Sequence, residues 1–180
     1  GRARRAFEEA SRIAPDFAMA YWGEAMTHDH RIWGEQNRQA ALDALAKLAP
    51  TAIERRAKAP TEREKLYLDA VEQLYVDGEQ DVVALKYSNA LAELVRRFPD
   101  DLEAKAFYAL SLLGLTGNVR NTENYMRGAA IAESIYEKNP RHPGALHYLI
   151  HAYDDPTHAP LGLKAARLYG TVARSASHAQ

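Results

Sequence analysis

Cysteine is missing from all 180 residues, which excludes disulfides and thiolate metal sites and leaves the redox compartment open. An excess of one charge is missing too. Twenty-three lysines and arginines face 24 aspartates and glutamates, and the formal charge of −1 supplies no general attraction for nucleic acid or an anionic membrane. No apolar run approaches the roughly 20 residues needed to span a bilayer. The expected protein is therefore soluble, cytoplasmic or periplasmic, with no nucleic-acid partner and no membrane insertion. There is no glycine-rich phosphate loop, no nucleophile elbow and no Cys–His pair, so nucleotide and nucleophilic chemistry find no support. Alternation with a period of two is absent over any useful length, which argues against a sheet.

What is present is helical periodicity cut by prolines. Ala3, Phe7, Ala10 and Ile13 define a helix ending before Pro15, and Asp16 begins another carrying Ala18, Ala20, Tyr21, Trp22, Ala25 and Met26. So short a turn between two helices makes a hairpin. Ala41, Leu42, Leu45 and Leu48 predict a helix over 38–48, and a shorter one is expected over 51–58. Thr61 with Glu64 forms a capping box opening a helix that Gly78 ends. Asp81 starts a helix running to Phe98, and Asp100 and Asp101 suit the N-terminus of the next, which reaches Leu113. A turn-rich loop over 114–121 leads to a helix over 122–138. The expected fold is all-α, with nine or ten helices.

The segment NPRHPGALHYLIHAYDDPTHA, residues 139–159, holds four of the seven histidines. Pro143 suits the first turn of a helix because its missing N–H would have had no intrahelical partner there. Leu146, Leu149, Ile150 and Tyr153 form the stripe to be buried. On the adjoining face His147, His151 and Asp154 or Asp155 follow one another turn by turn. Two imidazoles at this spacing suit a divalent transition metal such as zinc, with ligand bonds of about 2.0 to 2.1 Å. The candidate metal set is His147, His151, Asp154 and His158, with His178 or residues further along the chain to complete it. The competing reading makes the two rings half-buried helix histidines hydrogen-bonded to carbonyls, carboxylates or tyrosines. A zincin helix is excluded, because Tyr148 stands where the general-base glutamate would be.

Aligning Pro15, Pro99 and Pro140 exposes a repeat. At twelve, eight and five residues before each proline come Ala3, Phe7 and Ala10; Tyr87, Leu91 and Leu94; and Gly128, Ala132 and Ile135. Five residues after each comes Ala20, Ala104 or Ala145, as if two backbones approach closely there. This pattern resembles the tetratricopeptide repeat, with longer spacing, Glu24 in place of an expected leucine, and no clear match over 38–59. The histidine segment is also similar to one in a group of bacterial tetratricopeptide-like proteins, in which more histidines follow.

The resemblance implies antiparallel helical hairpins stacked as a right-handed superhelix, an α-α solenoid occupying residues 1–180 as a single array. The abrupt ends of the sequence suggest a piece of a longer chain. It also implies a concave groove for a peptide or protein partner, lined by Trp22, Met26 and Asp29; by Ala106, Leu110 and Leu113; and by His147, His151 and Asp154. In that groove Trp22 is the aromatic expected to anchor a partner. A metal-binding protein or metal-dependent enzyme built on His147, His151 and Asp154 is the alternative. His28, Asp29 and His30 form a smaller cluster, expected to be a solvated helix end where a cationic imidazole is favourable.

Overall fold

The computed structural model describes residues 1–30, 35–116 and 119–174. Among them are ten helices and one two-residue β pairing. The chain divides into two compact units, Gly1–Phe98 and Pro99–Gln180.

In the first unit, α1 (Arg2–Ile13) buries no residue fully and rests on α2 (Ala18–Met26). The contact depends on a missing side chain: a Cβ on Gly23 would come within 2.2 Å of the Phe7 ring. Ala18, Ala20 and Ala25 of α2 are fully buried, and the Tyr75 hydroxyl donates to the carbonyl of Ala25 at 2.7 Å. The α2 helix starts at Ala18 rather than Asp16, because a turn closed by the Phe17 N–H on the Ala14 carbonyl intervenes. Beyond α2, β1 (Asp29–His30) pairs antiparallel with β2 (Glu35–Gln36), a local pairing that no alternation of side chains announces. The connection expected around Trp33 and Gly34 lies outside the described residues.

Next comes α3 (Arg38–Ala46), capped by Asn37 and packed on α2. The short α4 (Ala52–Lys58) opens with a complete capping box, the Thr51 hydroxyl accepting from the Glu54 N–H and the Glu54 carboxylate accepting from the Thr51 N–H. Such a box satisfies two otherwise unpaired helix-start donors. From α4, buried Arg55 reaches α5 (Glu62–Leu74), donating to both Glu72 carboxylate oxygens at 2.6 and 3.0 Å and to the carbonyls of Ala49 and Pro50. Gly78, at φ 149°, takes the turn to α6 (Gln80–Arg97) in a backbone conformation closed to other residues. Glu79 is the cap of α6, and Asp81 sits inside its first turn.

The second unit is four helices in sequence. They are α7 (Leu102–Leu113), α8 (Thr122–Lys138), α9 (Pro143–Ala152) and α10 (Ala159–Val172). Each packs on the next, and α9 also packs on α7. Asp101, Asn121 and His142 cap the first three through side chains that accept a backbone N–H at 3.1, 3.0 and 3.1 Å. Gly128 lets α8 close onto α7, since a Cβ there would stand 3.2 Å from the carbonyl oxygen of Ala109. Leu113, Ala129, Ala132, Leu146 and Leu149 form the main core, with Ala165 and Tyr169 of α10 closing it.

Leu149 is 2% exposed, whereas Leu163 on α10 is 54% exposed. Leu149→Ala should therefore lower unfolding free energy by about 2 to 5 kcal/mol through lost burial and an unfilled cavity. Leu163→Ala should stay within about 0.5 kcal/mol. Urea unfolding followed by circular dichroism compares the two.

Candidate functional site

The site is built on α9. His142 accepts the Ala145 N–H on Nδ1, so its ring carries its proton on Nε2, which lies 3.2 Å from a Glu103 carboxylate oxygen of α7 without forming a well-aligned hydrogen bond. This cap and Pro143 fix where the helix begins. One turn apart on the half-buried face, His147 and His151 bring their Nε2 atoms to 2.9 Å, with ring centroids 4.7 Å apart. The two nitrogens share one proton between them, one ring donating and the other accepting. The rings are held from the side. Tyr169 of α10 stacks on His147 at 5.2 Å and 12°, and neighbouring Tyr148 stacks at 5.8 Å and 27°.

Burial pushes the Tyr148 phenol up to about 12, with the Glu103 carboxylate adding to the effect. Burial also raises Tyr169. Both hydroxyls are neutral at physiological pH, so the histidine pair has uncharged aromatic walls.

The C-terminal end of α9 is organised by Arg120, which the sequence did not single out. Its guanidinium donates to the carbonyls of His151 and Ala152 at 3.3 and 2.7 Å and to Asp155 at 2.6 Å, and lies 4.2 Å over the ring of Tyr125. Helix-end carbonyls lack intrahelical partners, and a cation there also meets the negative end of the helix dipole. Asp155, rather than Asp154, is the engaged carboxylate. It accepts from the backbone N–H groups of Thr157 and His158 and contacts His158 Nδ1 at 2.8 Å. Desolvation pushes the Asp155 carboxyl upward. The hydrogen bonds from His158, Thr157 and Arg120 outweigh it and hold the group at about 2.

The structure thus joins His147 to His151, and His158 to Asp155, while Asp154 is exposed. Among the described residues no group of three or more histidines, aspartates and glutamates is arranged to hold a metal ion. His178 lies outside the described residues. Of the other expected groove residues in this unit, Ala106 and Leu113 are each 3% exposed and belong to the core, and Leu110 is half-buried.

In the first unit, Trp22 and Met26 are half-buried. The Trp22 ring meets Tyr67 edge-on at 5.2 Å, and the Met26 sulfur lies 4.0 Å from the Tyr87 hydroxyl. Asp29 accepts from Gln36 at 3.0 Å inside the β pairing. His28 departs from the expected solvated helix end. It is half-buried, and desolvation, then the Arg4 charge, lower its affinity for a proton.

Three outcomes follow from these contacts. Arg120→Ala should cost about 1.5 to 3 kcal/mol, the range for hydrogen bonds to a charged group, read by urea unfolding. The depressed carboxyl of Asp155 makes its share of stability complete above the ordinary aspartate value of about 3.9 and progressively lost as pH falls toward 2. Acid unfolding of Asp155→Asn should lack that loss. At the other end of α9, His142→Ala should cost about 1 kcal/mol for the lost cap, and His142→Asn should restore most of it.

Comparison of the chain with family models, with curated proteins and with solved structures returns no match.

Proposed function

We propose that the chain is a tetratricopeptide-like interaction module, its antiparallel hairpins stacked as a right-handed superhelix, that holds an extended peptide or protein segment against its helices. The observation that supports this most is the order of packing in the second unit. There α7, α8, α9 and α10 each pack on the next, and α9 reaches back to α7, which is the neighbour pattern of stacked helical pairs. The proline-aligned alanines agree with it, since Ala20, Ala104 and Ala145 are all 0% exposed. Where helices approach over alanine, the longer side chains are left to face outward and meet a partner.

On this reading Leu110, His147 and His151 form the contact strip of the second unit, and Trp22, Met26 and Asp29 that of the first. Ala106 and Leu113 support the second strip from beneath, because their own surface is taken by helix packing. Half-buried imidazoles suit a peptide backbone, having both a donor and an acceptor to offer, and Leu110 adds apolar area.

Selection of a displayed library of random linear peptides on the purified chain tests this. The expected result is an enriched peptide whose affinity falls at least tenfold in Leu110→Asp or Trp22→Ala, with circular dichroism unchanged. Failure to enrich any peptide, or equal binding to both folded variants, removes the reading.

A further inference from the structure

The spacing of the two α9 imidazoles has a chemical meaning independent of any peptide. We propose that His147 and His151 chelate a divalent transition ion, Cu(II) most tightly, through their Nε2 atoms.

The argument is one of reach. The two Nε2 atoms face each other at 2.9 Å across one helical turn, so an ion bound at about 2.05 Å from an imidazole nitrogen can meet both. Imidazole nitrogens suit copper, nickel and zinc, and the affinity of a given site for these ions is highest for Cu(II).

The rings are also prepared for this bite. Both project from α9, whose start is fixed by the His142 cap and whose end is held by Arg120. Stacking on Tyr169 at 12° further restrains the His147 plane, so little ordering is left for the metal to impose. The ion takes the place of the proton now shared between the two Nε2 atoms. The donating ring passes to its Nδ1–H tautomer, so chelation by the neutral pair releases no proton. Among the described residues no group of three or more histidines, aspartates and glutamates is arranged around an ion, so the proposed chelate is one of two nitrogens.

Isothermal titration of the purified chain with Cu(II), Ni(II) and Zn(II) salts, together with electron paramagnetic resonance of the Cu(II) form, tests the proposal. One ion per chain is expected, with Cu(II) held most tightly of the three and its axial spectrum split by two imidazole nitrogens. His147→Gln and His151→Gln should each weaken Cu(II) binding at least tenfold, while His158→Gln should not. Circular dichroism verifies that each variant is folded, and His147→Asn and His151→Asn replace any that is not. Undiminished Cu(II) binding by a folded double variant, a spectrum without histidine nitrogen splitting, or no saturable binding of any of the three ions would overturn it.

Discussion

The second unit depends on how α9 is gripped. A helix of ten residues is too short to persist alone, because its nucleation cost is spread over few hydrogen bonds. Here the Ala145 N–H near its start meets the His142 ring and the carbonyls of His151 and Ala152 at its end meet Arg120, side chains that come from outside the helix proper. Between these grips Ala145, Leu146, Leu149 and Ala152 are buried against α7, α8 and α10. With both ends and the inner face fixed, the outer face presents its two imidazoles at a set separation. The histidine geometry is therefore a product of the helix boundaries as much as of the four-residue spacing.

The same economy of side chains runs through both units. Alanine supplies many of the fully buried positions, and glycine removes the Cβ where contact is tightest, at Gly23 beneath Phe7 and Gly128 beside Ala109. Small residues let helix axes approach and let longer neighbours interlock, which is how a protein interior reaches high density. Buried charge is used sparingly. Arg55 is matched on two carboxylate oxygens of Glu72 and two carbonyls, as a buried guanidinium must be if desolvation is to be offset.

Much of this was legible in the residues because helix starts and stops are local chemistry. Asn121 before Thr122, Asp101 before Leu102 and His142 before Pro143 announce α8, α7 and α9, and the expected helix over 122–138 matches α8 residue for residue. The pairing of His147 with His151 follows from one helical turn. Contacts across 31 to 35 residues carry no such signal. Nothing near Arg120 in sequence indicates that it closes α9 or that it selects Asp155, and helical spacing alone points as readily to the adjacent Asp154. Arg55 is hidden for the same reason, its partner Glu72 lying 17 residues away. Ala106 and Leu113 illustrate another gap: a repeat register assigns a face, while burial depends on which neighbour covers it.

The backbone conformation carries one more implication. Among the described residues only Gly78 adopts a positive φ, and no peptide bond is cis. The left-handed region, where a side chain would be under strain, is thus entered among the described residues at a glycine alone, which has no side chain to strain.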